Sequence, residues 1–307
     1  MRNAFADEMT RMAKEINTLV LLSGDIGNKL FDKFKSIDEA RFLNCGIGEA
    51  NMMGVAAGMA LSGLRPVIYT ITPFTTTRCF EQIRVDACYH NAPVVIVGTG
   101  SGLSYAELGA THHSLEDMAI LRTLPGMRVL APCDVTELRL ALRAAVQEDG
   151  PVYIRIGKKG EPAIHQQIPD FRIGKAIVVR SGSDVVFMAA GTIMPEVVKA
   201  ADLLAAQGVS AEVVSFHSVK PLDEAYLEQA ANRFRLLATV EEHSRIGGLG
   251  GAVAEWRAMR RDAAPLLMFG TDDEFMHEVG SQEYARAKYG LTAANLADRV
   301  LATLRAG

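Results

Sequence analysis

Apolar residues along the chain fall into short unbroken runs, and these runs alternate with stretches whose apolar positions recur at helical spacing. NTLVLLSGD, RPVIYTIT, APVVIVGTG, MRVLAPCD and PVYIRIG are runs of strand length with few polar interruptions, the pattern of strands covered on both faces. Between them lie helical patterns: the amphipathic N-terminal stretch, the segment beginning at Glu49, the segments Thr77 to His90 and Ser114 to Leu124, and VTELRLALRAAVQEDG. In the last, Leu138, Leu142, Ala145 and Val146 share a face. This β-α alternation predicts a parallel sheet flanked by helices, ending near Lys159.

KGEPAIHQQIPDFRIGKA follows, with two prolines and little periodicity, as expected of a connection between domains. A second alternation then runs through SDVVFMAAG, PEVVKAADLLAAQ, VSAEVVSFHSVKPLD, AYLEQAANRF, RLLATVEEH and GGLGGAVAEWRAMRR. The expected fold is therefore α/β, with two domains, each a mainly parallel sheet flanked by helices: residues 1–160, a linker 161–180, and residues 181–307.

Composition narrows the function classes. With 307 residues, 49% of them hydrophobic, the chain can bury two cores. Its net charge of −4 and the lack of any long basic run exclude an electrostatic footprint for nucleic acid. No apolar stretch reaches membrane-span length, and the N-terminus has no signal-type apolar segment, so a cytoplasmic protein is expected. Cys45, Cys79, Cys88 and Cys133 are far apart with no CxxC pair, which argues against both a zinc motif and a disulfide framework. Buried free thiols are the expectation.

Chemistry concentrates in the first half. In NCGIGEANMMGVAAGMALSG the residues after Glu49 are apolar on almost every side, which predicts a buried helix. A carboxylate at a helix start is favoured by the dipole whatever its function. A desolvated carboxylate can also share a proton with a heterocyclic nitrogen. His112 and His113 follow a Gly-Ala-Thr turn, where a loop can present an imidazole to a pocket or simply hydrogen-bond it. Arg78 and Lys158 are candidates for an anionic substrate group and equally read as solvated charges. GGLGG lacks the spacing of a phosphate loop and reads as a tight turn into a helix.

These motifs carry a resemblance that spans nearly the whole chain. GIGEANMMGVAAGMA is similar to the GI-x-E-x-NM-x-G-x-AAG-x-A segment of the transketolase pyrimidine-binding domain. TTTRCFEQIR resembles that family's TRAFDQIR region, GATHHSLEDMAILRTLPGM its GPTHQ-x-x-EDIA-x-x-R-x-x-P-x-M, and TVEEHSRIGGLGGAVAE its C-terminal domain. The resemblance implies a thiamine-diphosphate enzyme in which Glu49 hydrogen-bonds the aminopyrimidine and controls its tautomer. A two-carbon ketol unit then passes from a ketose to an aldehyde.

By the same resemblance His112 hydrogen-bonds the substrate and moves its protons, and His113 stands where the family has Gln. Asp25, Ile26 and Ile47 are expected to touch the cofactor, and Lys158 aligns with a phosphate-binding Arg. The family's pyrimidine-gripping aromatic positions fall on Thr72 and Thr75, which leaves Phe74 as the expected substitute and Phe80 as second choice. An Asp and a His that contact substrate in the family are replaced by Leu108 and Gly100.

The family's GDG motif for the diphosphate is absent from this sequence. The resemblance therefore implies a partner subunit that carries the diphosphate-binding domain and Mg²⁺, in an α2β2 assembly acting on sugar substrates. The second domain is expected to serve assembly, with no chemistry assigned to Glu242 or His243. Competing expectations are a deoxyxylulose-phosphate synthase-like enzyme, a 2-oxoacid dehydrogenase β-type subunit, and a non-catalytic scaffold of the same fold.

Overall fold

The computed structural model describes residues 1–306 apart from Asn28, Lys159, Arg261 and Asp262. The expected domain end at Lys159 thus lies outside the described residues. Among them, no helix is long and apolar enough to cross a membrane.

The apolar runs form strands where the alternation places them. β1 (Leu19–Ser23), β2 (Phe42–Asn44), β3 (Arg65–Ile71), β4 (Val95–Thr99), β5 (Arg128–Leu130) and β6 (Val152–Ile156) pair in parallel in the order β5-β6-β4-β3-β1-β2. β1, β4 and β6 are buried along their whole length, because helices cover both faces. Those helices are α1 (Arg2–Glu15), α2 (Asp32–Lys35), α3 (Glu49–Leu61), α4 (Thr72–Thr75), α5 (Phe80–Gln82), α6 (Asp117–Arg122) and α7 (Val135–Gln147). α7 is capped at its start by Asp134, whose side chain accepts from the Glu137 amide, one of the donors a helix start leaves free. The segment read as one helix from Thr77 to His90 is α5 followed by a π-helical stretch, Ile83–Tyr89.

The second sheet contains β7 (Ile177–Arg180), β8 (Val185–Ala190), β9 (Ala211–Ser215), β11 (Leu236–Ser244) and β12 (Leu266–Thr271), with only β7 antiparallel. Around it lie α8 (Met194–Ala205), α9 (Glu224–Arg233), α10 (Leu249–Ala258), α11 (Gln282–Lys288) and α12 (Ala293–Ala306). Two α/β units with mainly parallel sheets are thus present, as the alternation predicts.

They are not separate bodies. β10 (Ser218–Lys220) leaves the second unit and pairs antiparallel with β5 at the edge of the first sheet. One apolar cluster also joins Val20, Ile68 and Ile96 to Met188, Val214 and Phe216. The donated strand covers an edge that would otherwise present unpaired backbone groups.

One expectation needs correction. α3 is not buried on almost every side: Met52, Met53, Ala56 and Ala60 face the core, while Val55 is 36% and Leu61 59% exposed, and Ile47 just before the helix is 82% exposed. An all-round apolar helix here has one face open to solvent within this chain.

Candidate active site

In a parallel sheet, the crevice beyond the carboxyl ends of the strands is where loops of several strands converge. Five strand ends of the first sheet deliver the candidate residues there. β1 leads to Asp25 and Ile26, β2 to Ile47 and Glu49, β3 to Phe74 and Arg78, β4 to the loop bearing Tyr105 and His112, and β6 to Lys158.

Glu49 is the first residue of α3 and is 2% exposed. Arg78 Nη1 donates to its Oε2 at 2.9 Å. The same guanidinium lies over the Phe74 ring, 4.2 Å from its centroid. His112 meets the Phe74 ring edge-on at 5.4 Å and the Tyr105 ring at 6.2 Å. Lys158 Nζ stands 4.7 Å from the centroid of Tyr105 and is ion-paired to Glu107. One continuous row of side chains therefore runs from a buried carboxylate to a cation, through two aromatic rings and an imidazole.

The Arg78 guanidinium tests what this crevice accepts. It is a flat nitrogen donor, stacked on an aromatic face and hydrogen-bonded to a buried carboxylate. An aminopyrimidine ring presents the same features, so the residues present fit that half of thiamine diphosphate. Arg78 is 44% exposed at its side chain and has solvent to move into when a ring takes its place.

The other expected residues are placed less centrally. His113 is buried and turned from the row into a cavity of about 420 Å³ lined by Leu115, Ala119, Ile246, Thr271 and Met276. Its Nε2 lies 3.5 Å from the Ala106 carbonyl oxygen, and burial pushes its pKa down, so the neutral ring is favoured there. Phe80 packs on the edge of the core rather than beside Glu49. Asp25 takes a left-handed backbone conformation, φ +55°, and its Oδ1 accepts from Asn44 Nδ2 at 3.0 Å. The Ile26 carbonyl accepts from Ser23 Oγ at 2.9 Å.

Tyr105 is a residue that sequence reasoning missed. A Cβ at Gly100 would lie 1.8 Å from Tyr105 Cε2, and Gly100 has φ +74°. The tyrosine ring thus fills the volume that a side chain at position 100 would need. The one signal in the sequence was the glycine itself, standing where the resembled family has His. Gly100→Ala is expected to expel the ring and cost at least about 1 kcal/mol from the backbone conformation alone. Urea unfolding of the variant measures that cost, and an unchanged midpoint would show that the ring is not held there.

The VEEH motif of the second unit positions the β4 loop. Glu242 is buried and accepts from the Leu103 amide at 3.1 Å and from Gln282 Nε2 at 3.0 Å. The carbonyls of Ser114 and Glu242 both accept from Arg155 Nη2 at 3.2 Å. Glu241 accepts from the amides of Leu249 and Gly250 at 2.7 and 2.8 Å, satisfying donors at the start of α10. Ala119 N donates to His243 Nε2 at 3.3 Å. These residues support the loop and helix that flank His112 without touching the row.

Comparison with known proteins agrees with this arrangement. The family "Transketolase, pyrimidine binding domain" matches residues 1–161, and "Transketolase, C-terminal domain" matches residues 174–296. The chain is 36% identical over 294 residues to the 6-deoxy-6-sulfo-D-fructose transketolase subunit SqwH of a Clostridium species, covering 95% of this chain and 91% of that one. It is 35% identical over 292 residues to an apulose-4-phosphate transketolase subunit of Phocaeicola vulgatus, covering 94% and 93%. A solved split-gene transketolase, described as an inactive β4 tetramer, superposes with a TM-score of 0.91 at 35% identity, covering 99% of this chain and 98% of that one. Motifs, fold and relatives agree, and the chain belongs to the transketolase family, whose members are thiamine-dependent transferases.

Proposed function

We propose that this chain is the aminopyrimidine-activating subunit of a two-chain transketolase, and that Glu49 is its central catalytic residue. The observation that carries the reading is the buried Glu49 carboxylate holding a flat nitrogen donor against the Phe74 face. When bound, thiamine diphosphate supplies the carbon nucleophile that accepts and passes on a two-carbon ketol unit. Glu49 holds the ring nitrogen through Oε2 and sets its protonation. Phe74 stacks on the ring, while Ile47, Asp25 and Ile26 border it.

His112 stands beyond Phe74, with its Nδ1 sharing a hydrogen bond with Thr111 Oγ1 at 2.9 Å. This fixes the ring so that it can pass protons to and from the sugar oxygens. Lys158 attracts an anionic end of the sugar as a point charge, exchanging Glu107 for substrate. Arg78, displaced from Glu49, adds a second cation, and His113 shapes the wall behind His112. Relatives named for a sulfonated and a phosphorylated ketose are compatible with this charge pattern. Tyr105 over Gly100, with Leu108 exposed, gives the sugar end of the crevice a different lining from that of the resembled family.

The diphosphate and Mg²⁺ are assigned to a second, diphosphate-binding subunit in an α2β2 assembly in the cytoplasm. The open apolar face of α3, with Ile47, Val55 and Leu61 exposed, supports a covering chain, because large apolar residues gathered beside a site mark an interface. The relatives named as subunits support it too. Calorimetric titration of thiamine diphosphate with Mg²⁺ is expected to show tight binding only when this chain is mixed with a diphosphate-domain subunit. Tight binding by this chain alone would refute the division of labour. In the mixture, glycolaldehyde transfer in place of pyruvate decarboxylation separates the transketolase reaction from that of a deoxyxylulose-phosphate synthase.

A further inference from the structure

Away from this row, where the linker crosses the first unit, Cys133, Glu137 and His165 converge. Cys133 follows β5, Glu137 lies in the first turn of α7, and His165 belongs to the proline-bearing connection. Their ligand atoms all lie within 4.8 Å of one another. His165 Nε2 is 2.7 Å from Glu137 Oε1 and 3.9 Å from Cys133 Sγ. Glu137 is 0% and Cys133 1% exposed, and the His165 side chain 7%.

The backbone around the three is fixed. Asp134 Oδ1 accepts from Glu137 N at 2.9 Å, and its Oδ2 accepts from the amides of Ile164 and His165 at 2.8 and 3.0 Å. Glu137 Oε2 accepts from Cys133 N at 2.8 Å and Ser215 Oγ at 3.0 Å. That leaves Oε1 turned towards the imidazole and the thiol. No residue of the proposed reaction is among them.

We propose that Cys133, Glu137 and His165 bind a zinc ion that ties the linker to α7. Thiolate, imidazole and carboxylate together form a donor set that zinc takes up readily. Bonds of about 2.3 Å to sulfur and about 2.0–2.1 Å to nitrogen and oxygen place tetrahedral S···N and N···O edges at about 3.6 and about 3.4 Å. The Sγ···Nε2 distance is therefore already close, and the Nε2···Oε1 distance opens by a few tenths of an ångström as the ion replaces the hydrogen bond. His165 sits on irregular chain, which absorbs that shift. A dication with one thiolate and one carboxylate is neutral overall, so the site buries no net charge.

The test uses the full-length chain, stripped with chelator and titrated with Co²⁺. The expected result is one equivalent bound per chain with a near-ultraviolet thiolate-to-cobalt absorption, displacement by Zn²⁺, and a higher Tm in zinc. Cys133→Ser should abolish the absorption, and His165→Asn should weaken binding by at least about tenfold. Circular dichroism checks both folds. If Cys133→Ser does not fold, the loss on His165→Asn decides. No stoichiometric uptake by the unaltered chain would overturn the proposal. So would an absorption that persists in Cys133→Ser, because Cys45, Cys79 or Cys88 would then be its source.

Discussion

Glu49→Gln is expected to lower ketol transfer by the reconstituted two-subunit enzyme by about 10²–10⁴-fold, the range for removing a positioned acid-base group. The substitution keeps the volume of the side chain, and its carbonyl oxygen can still accept from Arg78 Nη1, which now lies 2.9 Å from the carboxylate. α3 loses a favourable charge at its first turn, worth about 0.3–1 kcal/mol, too little to unfold the chain. Structure is thus preserved while proton sharing with the ring nitrogen is lost. Two readouts together are decisive: the transfer rate at saturating substrate, and hydrogen-deuterium exchange at C2 of the bound cofactor. Both should fall. Normal exchange with slow transfer would move the role of Glu49 from cofactor activation to substrate handling, and unchanged rates would remove it from the mechanism.

Asp117→Ala is expected to destabilise the chain by about 3–5 kcal/mol, the cost of leaving a buried charge without its partner. Asp117 and Arg155 are 1% and 3% exposed. Asp117 Oδ2 accepts from Tyr153 OH at 2.5 Å and lies 3.2 Å from Arg155 Nε. Arg155 in turn holds the Ser114 and Glu242 carbonyls, so its guanidinium links the end of the His112 loop to the second unit. Removing Asp117 leaves that guanidinium with carbonyl partners alone and the Tyr153 hydroxyl without its acceptor. Guanidinium unfolding should show a large drop in midpoint, and limited proteolysis should reach the 100–116 loop sooner. A loss below about 1 kcal/mol would mean that water reaches Arg155 and replaces the missing carboxylate.

The site as described is one wall of a crevice. Its carboxylate is buried, yet the helix that carries it presents Val55 and Leu61 to solvent, and Ile47 stands beside them. A single chain gains nothing from that exposure, since each apolar side chain left in water forgoes about 25 cal/mol per Å². The same residues read as apolar on every side in the sequence because a second chain is expected to supply the missing contacts. The two-subunit reading and the corrected reading of α3 thus rest on one physical fact.

What the sequence determined by itself were the elements and the identity of the chemistry. Periodicity is local: a pleat of two or a turn of 3.6 residues fixes which side chains share a face, and so β1, β3, β4, β6 and α7 fall where their patterns place them. Glu49, Phe74, Arg78, His112 and Lys158 were legible because their motifs lie at strand ends, and a parallel sheet gathers those ends along one edge.

Only the tertiary structure decided what depends on distant pairs. Glu242 reaches the Leu103 amide across 139 residues, β10 leaves its own unit to pair with β5, Tyr105 lies on Gly100, and His113 turns away from His112 into a cavity. The cysteine spacing likewise carried no sign that Cys133 meets Glu137 and His165. Each of these contacts is set by how whole elements pack rather than by any period along the chain. That packing is fixed by the shared apolar core, in which residues from both units exclude water together.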